Sequence, residues 1–316
     1  MKKIIVSPSD DLQNILDNCP DNTTIYVKSG VYNQKIVIRG NGLKIIGEGR
    51  ETTKITWSDY AKKLHFDGGE YNTFRTFTVC VTGEDVVLEN LTVENANTQP
   101  EKVGQCVALS VNAKRFKAEN VDLRSTQDTL FTAPFPDDLV VRYSGLTDDP
   151  AYYDGFIPRE QLYMEGGSLQ VYKNCRIYGT VDFVFGSAEA YFIGCELVSL
   201  AEKRVTGYVA APSHPLAAQT GYVFYDCKFS NGGAEENSVF LARPWRDFGK
   251  CEFINCALGN HINGDLYDKW NDTYRNKTAR FSHRNLTGKQ IAPVDWGGEI
   301  SEERAEQLKK RIDELK

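Results

Sequence analysis

Short alternations of apolar and polar positions, each set off by a small turn-forming residue, recur along the chain. They are Asn90-Leu91-Thr92-Val93, Asn120-Val121-Asp122-Leu123, Asn174-Cys175-Arg176-Ile177, Gly194-Cys195-Glu196-Leu197, Asp226-Cys227-Lys228-Phe229 and Asn255-Cys256-Ala257-Leu258. Such alternation is that of a half-buried strand, and Asn, Gly and Asp tolerate the backbone of a sharp bend. Units that carry short strands and no helix can bury their apolar side only against the next unit. The pattern therefore predicts an all-β chain, a single right-handed parallel β-helix over residues 1–316 as one domain. Four of the units place a cysteine at the same repeat position, and stacking would line those thiols up inside the coil as small hydrophobes.

Three stretches depart from the repeat. Between Asn120 and Asn174 the chain runs longer than one coil needs, and the excess falls at about 133–164, where Pro134, Pro136, Pro150 and Pro158 interrupt regular structure. With Asp137, Asp138, Asp148, Asp149 and Asp154 this reads as a long, wet surface loop. Leu12, Ile15, Leu16 and Cys19 follow a helical spacing behind Ser9 and Asp10, a short N-terminal capping helix with its N-cap there. Ala305, Leu308, Ile312 and Leu315 repeat that spacing within Ser301–Lys316, a C-terminal helix expected to pack on the last coil.

Composition narrows the function. Thirty-seven Lys plus Arg against 43 Asp plus Glu leave a net charge of −6, so phosphate backbones and anionic lipid are not attracted and nucleic acid is not expected as a partner. The chain contains no apolar run of about eighteen residues, and the apolar start Ile4-Ile5-Val6 is too short for a signal-peptide core. The expectation is no membrane partner and a cytoplasmic protein, with secretion as the alternative. Eight scattered cysteines read as free thiols in a reducing compartment, and four histidines lack a zinc spacing, so neither a metal nor an organic cofactor is expected. The chain should be a monomer or weak dimer.

Four segments carry candidate chemistry. In Val181-Asp182-Phe183-Val184-Phe185-Gly186 the only charge is Asp182, and a carboxylate in an apolar strand demands a specific partner. In Ser125-Thr126-Gln127-Asp128-Thr129-Leu130 an amide and a carboxylate stand side by side. Arg243, in Ala242-Arg243-Pro244-Trp245, offers a planar fork for a carboxylate, and Trp245 a flat apolar face for a sugar ring. Gln105, in Gln105-Cys106-Val107-Ala108-Leu109, could join Gln127 in donating to a developing oxyanion. Each segment alone also reads as ordinary core or turn; on one stack, adjacent coils would bring the two acids roughly 5 Å apart.

Taken in chain order, Gln105-Cys106-Val107-Ala108-Leu109, Gln127-Asp128-Thr129-Leu130, Asp182-Phe183-Val184-Phe185-Gly186 and Ala242-Arg243-Pro244-Trp245 resemble the four signature blocks of the pectin methylesterase family. Gly30-Val31-Tyr32-Asn33-Gln34, Gly47-Glu48-Gly49 and Leu258-Gly259-Asn260-His261-Ile262 are similar to further blocks, so the resemblance runs from about Ile4 to Trp296. It implies an aspartyl esterase that removes methyl groups from galacturonan or oligogalacturonides: Asp182 as nucleophile, Asp128 as acid and then base, Gln127 and Gln105 at the oxyanion, and Arg243 holding Asp182 ionised. Trp245, Phe185 and Val181 would line the sugar site, and His261 would be structural. Departures from the family pattern are Gln34 for Glu, Cys106 for Ala, Ala242 for Gly, and Pro212 where the block Tyr208-Val209-Ala210-Ala211-Pro212 should end in an amide. The insertion at 133–164 has no counterpart in a plain coil; Tyr152, Tyr153 and Phe156 within it are expected to form a lid favouring short oligomers.

Two other function classes compete. A β-helix lyase would want a calcium-binding acidic cluster and a basic proton acceptor, whereas a glycoside hydrolase would also use two carboxylates. The amides and arginine suit acyl transfer better, and without a Gly-x-Ser-x-Gly elbow a serine esterase is disfavoured, which leaves the carboxylates. A catalytically dead carbohydrate-binding coil would lack one of Asp128, Asp182 or Arg243, and all three are present.

Overall fold

Each of the repeat's turn residues sits in the left-handed backbone region: Asn90, Asn120, Asn174, Gly194, Asp226 and Asn255 have φ between 52° and 59°, and Asn285 extends the series at 52°. Side-chain amides link several of them from coil to coil, Asn120 to Asn90 at 3.2 Å, Asn255 to Asp226 at 3.2 Å and Asn285 to Asn255 at 3.1 Å. The turns separate strands that stack in parallel, giving the expected parallel β-helix. The computed structural model describes residues 2–66, 68–97, 100–143, 164, 167–201 and 206–315. Among these, three sheets of eleven, seven and eight strands wrap the coil, and along most of each sheet the neighbours are every third strand of the chain.

The interior is filled rung by rung. Cys175, Cys195, Cys227 and Cys256 are buried in one file, and each thiol donates to a carbonyl of the preceding coil at 3.2–3.5 Å. Beside them Tyr172, Phe192, Phe224 and Phe253 stack ring on ring, with centroids 4.8, 4.6 and 4.9 Å apart. All eight cysteines are unpaired. Burial pushes the Cys175 and Cys227 thiols well up, which suits inert packing.

The N-terminal helix spans Leu12–Asn18, and its N-cap is Asp11, whose Oδ1 accepts the Asn14 N–H, rather than Ser9 or Asp10. Gln34 explains its departure from the family pattern here: its Oε1 accepts the Leu12 N–H and its Nε2 donates to the Asp10 carbonyl, both at 2.9 Å. A carboxylate could make only the first of those bonds. Gln13 of this helix bonds both the N–H and the carbonyl of Val37, covering the terminal strand of the seven-stranded sheet.

Two expectations need correction. The C-terminal helix Glu302–Leu315 does not sit on the last coil alone; Leu308 and Ile312 pack along Tyr191, Val223 and Ile254 from successive coils, with Arg304 forked onto the buried Glu252 at 2.8 and 2.7 Å. An amphipathic stripe needs an apolar face, and the outside of the eleven-stranded sheet supplies a longer one than the coil's end. The insertion, in turn, does not start as a wet loop. Residues Asp137–Tyr143 form a helix whose Leu139, Val140 and Tyr143 are buried with Phe74, Phe131, Phe135 and Phe185 outside the seven-stranded sheet. Tyr152, Tyr153 and Phe156 lie outside the described residues.

Candidate active site

The seven-stranded sheet positions the candidate chemistry. Asp128 and Asp182 do not lie inside strands, as the apolar run around Asp182 led one to expect, but two residues before the paired strands Leu130–Thr132 and Val184–Gly186. Both adopt left-handed backbone, with φ of 62° and 51°, a conformation that Asp tolerates better than most residues. The register aligns them on adjacent coils, and the Asp128 N–H donates to the Val181 carbonyl at 3.0 Å. Such turns swing the carboxylates outward from the sheet end while the following residues enter the core.

Arg243 comes from farther along the stack. It follows the strand Val239–Ala242, and the strand Gly207–Pro212 intervenes between it and Asp182. Of the intervening rung, Ala211 lines the cleft and the Tyr208 ring lies against the Arg243 guanidinium, whereas Ala210 is packed in the interior. Arg243 Nε donates to Asp182 Oδ1 at 2.8 Å and its Nη2 to Oδ2 at 2.6 Å, a two-pronged, charge-assisted pair. The pair is largely enclosed, with side-chain exposures of 14% for Arg243 and 8% for Asp182.

The electrostatics separate the two acids. Burial pushes the Asp128 carboxyl well above the usual carboxylate range, the neighbouring Asp182 charge adds to this, and Arg243 and a Gln127 hydrogen bond oppose it. Asp182 is also raised by burial, but the bonds and charge of Arg243 work against the rise. Arg243 thus limits the rise of Asp182 without lowering it below the usual range, and the rise of Asp128 is the larger of the two. A carboxylate beside a protonated acid can divide nucleophilic and acid duties.

A cleft of about 280 Å³ brings together Asp128, Asp182, Gln127, Gln105, Arg243 and Trp245. Phe185 is buried at its wall and meets Trp245 edge to face at 5.6 Å, so it backs the tryptophan. Val181 is buried and contributes its carbonyl to Asp128 rather than a cleft wall. His261 is buried away from the cleft, its pKa lowered to about 4 by burial. The Cys106 thiol is pushed up to about 12 by burial, so it is no nucleophile. Pro212 replaces the expected amide, and its carbonyl instead holds the Trp245 N–H at 3.0 Å. Two larger depressions, of about 680 and 660 Å³, lie at the N-terminal helix and behind the insertion helix. Volume does not single out this cleft; convergent acids, amides and a guanidinium do.

Three groups escaped sequence reasoning. Trp270 and Tyr208 both face the Arg243 guanidinium, and the insertion helix supplies Leu139, Arg142 and Tyr143 to the cleft wall. Tyr208 stood in a recognised block, whereas Trp270 and Arg142 carry no motif. Asp138 of that helix is forked by Arg246 at 2.9 and 2.6 Å, which ties the insertion to the stretch following Trp245.

The pectinesterase family profile matches residues 7–135 and 153–310. The chain belongs to the pectinesterase family. Among curated relatives, this pectinesterase-family chain is 27% identical to Pectinesterase 31 of Arabidopsis thaliana over 93% of its own length and 84% of the relative's. It is 26% identical to Probable pectinesterase/pectinesterase inhibitor 64 of the same plant over 92% of its length, and spans only 46%, about half, of that relative. The fold is similar to that of pectin methylesterase PemA from Erwinia chrysanthemi, with a TM-score of 0.78, 23% identity, and coverage of 97% and 95% of the two chains. The matched segments contain all five proposed catalytic residues and leave out residues 136–152 of the insertion.

Proposed function

We propose that the protein hydrolyses methyl esters of galacturonate units in pectin or methylated oligogalacturonides, releasing methanol. The reading is carried by one observation, the Arg243 fork on Asp182 beside a buried Asp128 whose carboxyl burial pushes well above the usual carboxylate range. Asp182 attacks the ester carbonyl carbon, and the π electrons move onto oxygen. Amide N–H groups of Gln127 and Gln105 donate to that oxyanion. Collapse of the intermediate expels the methoxy group, which takes the Asp128 proton and leaves as methanol, so that Asp182 and the uronic acyl group form a mixed anhydride.

In the second half, Asp128, now a carboxylate, takes a proton from water as it attacks the anhydride carbon. The bond to Asp182 breaks, Asp182 returns as carboxylate, and the product acid departs with Asp128 reprotonated. Trp245 offers its face to a sugar ring. The insertion helix closes one side of the cleft through Leu139 and Tyr143, which supports the finer reading that short oligomers fit better than long polymer.

Methanol release from a methylated oligogalacturonide by the parent and by Asp182→Asn tests the assignment. Loss of at least about a thousandfold in kcat is expected, because the amide keeps the shape and removes the nucleophile. Equal rates would refute it, and chain cleavage without methanol would indicate a lyase or glycosidase instead.

A further inference from the structure

The Arg243 guanidinium carbon lies 3.9 Å from the Tyr208 ring centroid and 4.2 Å from that of Trp270. All five N–H groups of a guanidinium lie in its plane, so aromatic rings can contact its faces without competing for its donors. The edge carrying Nε and Nη2 is left for Asp182. Both rings are themselves held. The backbone of the stretch that brings Trp270 docks on the strand that ends just before Arg243, with Tyr267 bridged to Ala242 and the Asp268 N–H donating to the Ala242 carbonyl at 3.1 Å. The Tyr208 hydroxyl donates to Asp268 Oδ2 at 2.7 Å. These contacts form a closed circuit from Ala242 through Asp268 and Tyr208 back to Arg243.

A long arginine side chain reaching over an intervening strand has many rotamers to lose, and Asp182 alone offers it one attachment point. Packed rings remove that freedom before any substrate arrives. We propose that Tyr208 and Trp270, with Asp268 acting through Tyr208, are positioning residues that hold the plane of Arg243 so that its fork stays on Asp182. The proposal rests on reading the cleft as an aspartyl esterase site and adds to it a support made by a segment outside the four signature blocks.

The charged and titratable groups that face Asp182 are Asp128 and Arg243, with Arg142, Arg246 and Tyr143 around the cleft and Tyr208 and Asp268 behind Arg243. Asp182 attacks only as a carboxylate, and Arg243 is the group that opposes its upward shift. A loosened fork therefore moves the acidic limb of kcat to higher pH. Methanol release from a methylated oligogalacturonide is to be followed against pH for the parent, W270L, W270F, Y208F and D182N. W270L should lose about tenfold in kcat and shift its acidic limb upward by about one pH unit, W270F should restore the limb, and Y208F should shift it part of the way.

A limb that stays in place in W270L while only KM rises overturns the proposal and leaves Trp270 a sugar platform. If W270L fails to fold by far-ultraviolet circular dichroism, Y208F decides, since it keeps the ring and loses only the bond to Asp268; an unmoved limb there overturns the proposal too. D182N as active as the parent would sink the esterase reading itself, whatever the Trp270 and Tyr208 variants do.

Discussion

Asp182 occupies, one coil further on, the same left-handed turn position that Asp128 occupies, at φ 51° against 62°. Two acids are thus held side by side on backbone that most residues would find strained, and each must be solved by a residue that tolerates this region.

Asparagine tolerates it as well as aspartate, and alanine does not. Asp128→Asn should fold as the parent does, whereas Asp128→Ala should carry an added backbone cost of about 1 kcal/mol. In activity the two should fall together, by about a hundredfold or more in kcat, for want of the proton donor. Thermal unfolding beside methanol release checks both halves, and an alanine variant as stable as the asparagine one would contradict the backbone argument.

The raised Asp128 carboxyl has its own signature in stability against pH. A group whose folded pKa lies above its unfolded value, about 3.9 for Asp, contributes stability that is fully present below that value and is lost as pH rises through the folded pKa. Asp128→Asn removes this loss. The variant should match the parent near the lower end of that window and become the more stable of the two as pH increases, read from melting midpoints across pH 4 to 8. A constant difference would mean that Asp128 does not titrate in this window.

Arg243→Lys keeps a positive charge but not the fork. A single ammonium nitrogen cannot reproduce the two parallel bonds of 2.8 and 2.6 Å that Nε and Nη2 make to Asp182, so kcat/KM should fall at least tenfold. Lysine performing like arginine in steady-state kinetics would show that charge alone suffices.

Gln34→Glu restores the residue the family pattern leads one to expect, yet here it should weaken the fold. It removes the donor to the Asp10 carbonyl and places a charge next to it, at a cost of about 1 kcal/mol, while kcat stays unchanged because the residue sits at the N-terminal helix. Denaturant titration measures it; a more stable glutamate variant would reverse the reading.

Of the eight thiols only that of Cys19 is partly exposed. A thiol reagent on the native protein should therefore label one cysteine quickly and the rest only after unfolding. Rapid labelling of Cys175, Cys195, Cys227 or Cys256 would mean that the interior file is not closed.

The coil, its asparagine turns and its file of cysteines were legible in the sequence because each is a local pattern repeated: a residue that tolerates positive φ, then alternation in and out. The segments that hold Asp128, Asp182, Gln105, Gln127 and Arg243 were also picked out in the sequence, by short blocks and the family resemblance they carry, and the structure gathers these residues in one cleft. The sequence carried no trace of Trp270 beside Arg243, of Asp268 bonded to Tyr208, or of the insertion helix at the cleft wall. Nor could helical spacing in Glu302–Leu315 say which face the helix would cover. Those contacts join segments far apart in the chain, and only closure of successive coils brings them within a few ångströms; spacing along a sequence reports what repeats, whereas stacking decides what meets.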